Sequence, residues 1–148
     1  MPEQWTVIET FDSTRPVQFE QAGEKSDTDI VTSMYPGIGS MKRYANATDK
    51  TRPYIMCEFS HAMGNSNGNF QEYFDIINSS PHMQDGFIWD WVDQGLKAKK
   101  NCRQYWAYGG DLGGKNLQNN ENFCANGLVS SDRKCILPFT RLNAYIKT

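Results

Sequence analysis

The residues best suited to chemistry gather around Glu58. It follows the apolar run Tyr54, Ile55, Met56 and Cys57 and precedes the aromatic, small and amide residues of 59–68. Bounded by Pro53 and Gly64, that run reads as a short strand buried on both sides, as in a parallel sheet covered by helices. Glu58 then stands where the strand ends. A buried carboxylate needs partners, so Glu58 reads either as an ion-paired or hydrogen-bonded core group or as a reactive one. His61 lies just beyond it, followed by Asn65 and Ser66. Farther on, Trp89 and Trp91 are two apart and would point to the same side of a strand, so alternation does not separate them. Asp90, Asp93 and Asp111 could pass for a metal cluster, but read equally as loop hydrogen-bonding groups.

These groups need elements to hold them. Phe70, Tyr73, Phe74 and Ile77 fall at helical spacing, Pro81 closes that segment, and GFIWDWVDQG (86–95) reads as the next strand. The result is a strand, helix, strand unit. Upstream, residues 16–20 and 27–35 read as strands, the second stopped by Pro36-Gly37, and 40–47 as a weak helix with Met41 and Tyr44 on one face. Residues 3–11 read as the end of a helix. Four strands are therefore expected, near Val17, Ile30, Ile55 and Ile88. The remainder, rich in Asn, Gly and aromatics, reads as long loops.

Bulk properties exclude several classes. Fifteen Lys and Arg against seventeen Asp and Glu leave a net charge of −2, which offers no surface for nucleic acid or anionic membrane. Cys57, Cys102, Cys124 and Cys135 form no CxxC pair and no zinc-type spacing with His61 and His82. Free, mostly buried thiols in a reducing compartment are the expectation. With no membrane-length apolar run and no basic and apolar leader at the start, the expected compartment is the cytoplasm, the periplasm being the alternative for a parent enzyme.

Four motifs carry more than composition does. CEFSHAMGNSNG, GFIWDWVDQG, YGGDLG and FCANGLV, in this order and spacing, closely resemble the long β-galactosidases of glycoside hydrolase family 2, over residues 12–133. The resemblance implies an α/β fold: part of a (β/α)8 TIM barrel, about strands five to eight, in a chain too short for the roughly 250 residues of a whole barrel. It implies a retaining β-galactosidase acting through a covalent galactosyl-glutamate intermediate, with Glu58 as nucleophile and the Tyr35 phenol beside it. Met34 and Tyr35 match the family's Met-Tyr strand end. His61 matches a galactose-binding histidine, and Trp89, rather than Trp91, the apolar wall under the sugar. Phe123, through its carbonyl, and Asn126, through its amide, match ligands of a sodium ion beside the sugar hydroxyls.

What the resemblance does not find here matters as much. Such enzymes need a second carboxylate about 5 Å from the nucleophile, as general acid and base. The family's acid follows an asparagine at the fourth strand. Asn120-Glu121 lies too late to match it, and Glu20 and Glu72 read as structural. The magnesium site is built around that same acid, so no magnesium ligand is expected in this chain. The isolated chain is therefore expected to be inactive, with the N-terminal part of the enzyme as its missing partner and an oligomeric parent. After SSDR the family pattern stops, and residues 134–148, read one base earlier with permitted codons, regain a His-Pro-x-Leu-x-Glu-Val continuation. Two domains follow: 1–133 as barrel half and 134–148 as a frameshifted, non-native tail. The alternatives are a non-catalytic sugar-binding module and a complementing subunit that docks onto a separate first half.

Overall fold

The computed structural model describes residues 10–64, 66–114 and 116–136. The expected helix over 3–11 is seen at Thr10 and Phe11; its remainder, Asn65 and most of the expected tail lie outside the described residues. The chain divides into two compact units, Met1–Phe59 with Gln71–Phe87, and Ser60–Phe70 with Ile88–Thr148.

The first unit is built on a sheet. Among the described residues its strands are β1 (Val31–Met34), β2 (Tyr54–Phe59) and β3 (Met83–Ile88, whose last residue falls in the second unit), in the order β1-β2-β3. β1 and β2 run parallel. Helix α1 (Ile38–Ala45) follows β1, and α2 (Phe70–Asn78) joins β2 to β3. α1 starts at Ile38, two residues before the expected helix, because Pro36-Gly37 provides the extended entry, with Gly37 as its N-cap. Its apolar pair is placed as expected, with Met41 and Tyr44 both buried. The Tyr44 ring packs on Tyr54 of β2 at 4.9 Å, and its hydroxyl donates to the Arg52 carbonyl at 2.8 Å. Tyr73 of α2 packs on Phe59 at 5.5 Å. Arg52 donates to the carbonyls of Glu24, Lys25 and Thr28, fastening the turn before β1 to the entry of β2.

Three expectations are corrected here. The strand expected at 16–20 is reduced to a single parallel bridge, Gln18 to Ile30, followed by a 3₁₀ turn at Glu20–Ala22. Pro16 has no N–H to give, and side chains take over the ladder: Val17 donates to the Asp29 carboxylate at 2.7 Å and Phe19 to the Thr28 hydroxyl at 3.2 Å. β2 is not buried on both sides: Tyr54, Met56 and Phe59 are buried, whereas Ile55, Cys57 and Glu58 are half-buried. The strand expected over 86–95 begins earlier, at Met83, and ends at Ile88. Gly86 faces Met56 so closely that a Cβ there would lie 2.6 Å from its Cε, which is why this strand carries a glycine.

The second unit is mostly loop, but not wholly. Leu96–Lys100 (β4) and Arg103–Ala107 (β5) pair antiparallel, where long loops with little regular structure were expected. The lysines hid the alternation. The turn residues Asn101 and Cys102 both have positive φ, 50° and 60°, the requirement of a two-residue hairpin loop. Residues 89–94 and 126–129 zip together by backbone bonds, among them Asp90 N–H to Asn126 O at 2.9 Å, Leu128 N–H to Asp90 O at 3.0 Å and Asp93 N–H to Val129 O at 2.9 Å. Cys135 bridges to Val129, and the Lys134 carbonyl accepts from Ser130 at 2.9 Å. All four cysteines are free, but Cys102 and Cys135 are exposed and Cys57 and Cys124 half-buried, so the thiols are not mostly buried as expected. No described helix is long and apolar enough to cross a membrane.

Candidate active site

In the first unit the site residues meet at a β-bulge. β1 and β2 keep register through Val31↔Tyr54, Thr32↔Ile55 and Ser33↔Met56, then shift, so that Met34 faces Glu58 and Cys57 is passed over. Bulges re-aim side chains at strand ends. Here the shift lets the Tyr35 N–H donate to the Glu58 carbonyl at 2.7 Å. Tyr35 has φ 48°, in the left-handed region that costs a residue with a Cβ about 1 kcal/mol. The backbone bond and the bulge hold it there.

The consequence is a direct link between the two side chains. Tyr35 and Glu58 are hydrogen-bonded side chain to side chain, and the phenol is pushed up to about 12, first by burial, then by that bond, then by the negative charge of Glu58. At neutral pH the phenol therefore keeps its proton and is the donor. Cys57, next along the strand, has its thiol pushed up by burial and by the Glu20 and Glu58 carboxylates. It is held away from the reactive thiolate form.

The remaining site residues belong to the second unit. Ser60 leaves β2 with φ 54°, and the buried Asn67 fixes this turn by donating to the Ser60 carbonyl at 2.6 Å and its hydroxyl at 2.7 Å. Ser66 donates to the His61 carbonyl at 2.5 Å. His61 is thus positioned from behind by two residues, and its ring lies against Phe123 at 5.1 Å between centroids. Asn67 was not singled out from sequence. Its only signal there was a second asparagine in a Gly-rich stretch.

Trp89 is 36% exposed and Trp91 54%. β3 has ended by then, so strand alternation does not apply to the pair. The Trp89 carbonyl accepts from Ala62 at 3.2 Å, linking its segment to the His61 loop. The aspartates are committed to loop bonds: Asp90 accepts from the Trp91 amide and the Gln94 side chain, Asp93 from Gly127 at 2.8 Å and Asp111 from Tyr108 at 3.2 Å. Gly127 is required, since a Cβ there would overlap the backbone of Val92 and Asp93.

Asn126 is the unusual residue of this unit. It is 1% exposed, and among the described residues neither its amide oxygen nor its amide nitrogen has a hydrogen-bond partner. A buried unpaired amide costs about 1–3 kcal/mol, so its retention points to an occupant from outside the protein. Its oxygen is the donor type that a hard cation takes, and its nitrogen suits a hydroxyl. Phe123, 49% exposed, leads into this segment from a 3₁₀ turn, Glu121–Cys124. The sodium assignment is therefore compatible with Asn126. Among the described residues no group of three or more His, Cys, Asp or Glu could hold a metal ion.

A carboxylate and a tyrosine at the ends of neighbouring parallel strands, with helices between strands, is the layout of enzymes built on TIM barrels, whose sites lie at the C-terminal face. The comparisons give the family. The chain matches the glycosyl hydrolases family 2, TIM barrel domain, over residues 3–147, and it belongs to that family. A β-galactosidase of Enterobacter cloacae is 45% identical over 139 residues, which are 85% of this chain and 13% of that protein. A β-galactosidase of Pseudoalteromonas haloplanktis is 44% identical over 137 residues, 84% of this chain and 13% of that protein. The chain thus spans about 13% of the length of the curated relatives it matches. Among solved structures, the Ruminococcus gnavus β-glucuronidase in complex with D-glucaro 1,5-lactone aligns with a TM-score of 0.60 at 13% identity, covering 95% of this chain and 28% of that one. At that identity the likeness concerns the fold.

Proposed function

We propose that this chain supplies the nucleophile and part of the sugar-binding wall of a retaining β-galactosidase. The observation that carries the reading is the Tyr35–Glu58 side-chain bond at a bulged strand end. In this reading the Glu58 carboxylate attacks the anomeric carbon of a terminal β-galactoside while an acid from outside the chain protonates the leaving oxygen. Water, activated by the same acid in its basic form, then hydrolyses the galactosyl ester with net retention. Tyr35 orients the carboxylate by donation and stays protonated far above neutral pH. His61 and Asn126 would bind galactose hydroxyls and Trp89 would pack on its C–H face; Met34, opposite Glu58 at the strand end, is a further candidate for substrate contact.

A sodium ion, held by the Phe123 carbonyl and the Asn126 amide, would add a fixed positive charge for the sugar hydroxyls. No magnesium ligand is assigned to this chain. The three sheet strands correspond in this reading to the last three of the barrel, with the Gln18–Ile30 bridge as the remnant of the fifth. Galactoside rather than glucuronide follows from the more similar relatives, which are β-galactosidases at 43–45% identity.

The test is a graft. Residues 12–133 placed in a full-length β-galactosidase relative, in exchange for its matching segment, should retain hydrolysis. Glu58→Gln should then lower kcat by at least about 10³, and the chain alone should show no turnover. A Glu58→Gln graft with kcat within tenfold of its parent would refute the assignment. The boundary at 133/134 has its own check, because DNA across these codons should encode the family continuation in the shifted frame.

A further inference from the structure

The loop that carries His61 folds back on itself, and three of its non-glycine residues, Ser60, Asn67 and Asn69, stand at positive φ, 54°, 64° and 61°. Asparagine tolerates that left-handed region, whereas a serine is disfavoured there because its Cβ crowds the backbone. Ser60 therefore needs something to hold it. It immediately precedes His61, so whatever holds it also bears on the histidine.

The hold comes from the other end of the loop. Asn67 is 5% exposed, and its amide nitrogen donates one proton to the Ser60 carbonyl at 2.6 Å and the other to the Ser60 hydroxyl at 2.7 Å. The Ser66 hydroxyl donates to the next carbonyl, that of His61, at 2.5 Å. The N–H of that same peptide unit, on Ala62, donates to the Trp89 carbonyl at 3.2 Å. The peptide units on both sides of the His61 Cα are thus fixed, one at its oxygen and the other at both ends. With two planes set, the backbone dihedrals of His61 are set too, and the direction of its Cα–Cβ bond follows. The ring is delivered against Phe123 at 5.1 Å between centroids.

Filling this buried space would not need an amide. An apolar side chain could occupy the volume, but it could not restrain Ser60 at both oxygens. We propose that Asn67 is a positioning residue for sugar recognition, acting through the peptide units around His61 and not by touching substrate. Its functional meaning rests on the β-galactosidase reading; the clamp on His61 does not.

The experiment compares Asn67→Gly, which removes the amide yet accepts φ 64°, with Asn67→Gly/Ser60→Gly, in which residue 60 takes φ 54° without a Cβ. In a full-length relative carrying residues 12–133, Asn67→Gly should raise KM for a β-galactoside about tenfold and change kcat less than threefold. Adding Ser60→Gly should bring KM back to within about threefold of the parent. KM at the parent value in Asn67→Gly, with only the melting temperature lowered, would make the amide merely structural and overturn the proposal. A tenfold rise that Ser60→Gly does not reduce would overturn the route through Ser60. In the ¹⁵N-labelled chain alone, the His61 ring and Ala62 amide resonances should move in Asn67→Gly and return in the double variant; resonances unmoved by Asn67→Gly overturn the clamp whatever the graft does. Moved and restored resonances beside an unsubstituted graft without hydrolysis would support the clamp and count against the β-galactosidase reading.

Discussion

The two units of this chain solve opposite problems. In the first, Val31, Met41, Tyr44, Met56, Phe59 and Ile76 are buried, and the phenols of Tyr44 and Tyr73 reach backbone carbonyls. In the second, Trp89, Trp91, Leu96, Trp106, Leu112, Leu117 and Phe123 are exposed, while Asn126 is buried with its amide unpaired. The first region buries this set as a core, although Phe11, Phe19, Met34, Tyr35 and Phe87 stay exposed, and holds Glu58 at a strand end. The other keeps aromatics and amides available, as a binding surface does. Substitutions in the packed core of the first unit and at the unpaired amide of the second should therefore act differently on stability.

Met56→Ala should show the first unit's dependence on packing most strongly. The side chain is fully buried beneath Gly86, and its loss should cost about 2–5 kcal/mol, read as a drop in the denaturation midpoint. A cost under 1 kcal/mol would mean that this unit is not the packed half of the comparison. Gly127→Ala asks the same of the second unit, where backbone rather than side chain must yield; a loss of about 1–3 kcal/mol is expected, and near-neutral behaviour would show the 89–94 and 126–129 zipper to be loose.

Asn126→Leu should move the other way. Removing an unpaired buried amide should raise stability by about 1 kcal/mol while abolishing galactose-dependent quenching of Trp fluorescence. Destabilisation together with intact quenching would make Asn126 a structural residue. The smallest effect concerns Tyr35. Because its pKa in the folded chain, about 12, lies above the ordinary 10, its contribution to stability is present below pH 10 and is lost as pH rises through 12. Absorbance titration of the wild type minus Tyr35→Phe isolates this group from the other raised tyrosines. Glu58→Gln should lower its midpoint, though not fully to 10, since burial is the first cause and remains.

How much of this was legible in sequence depended on whether neighbours or distant partners set the conformation. β2 and α2 were legible because an apolar run and a helical period state themselves locally. The strand at 16–20 was not, since Thr28 and Asp29 replace its ladder with side-chain bonds from across the turn. The β4–β5 hairpin was masked by Lys97, Lys99 and Lys100, although the Asn101–Cys102 turn held a clue. At the site, residue types drew attention to Glu58 and the motifs to Tyr35. Their bond depends on a bulge that skips Cys57, a register no composition reveals. Asn67 and the unpaired state of Asn126 emerge only once burial is known.

As the proposed nucleophile, Glu58 would form the covalent bond to the sugar. Treating the grafted enzyme with a 2-deoxy-2-fluoro-β-galactoside carrying an activated leaving group, then mapping the label by peptide mass spectrometry, tests it most directly. One fluorogalactosyl group is expected on the peptide containing Glu58. A label on any other residue, with Glu58 unmodified, would contradict it.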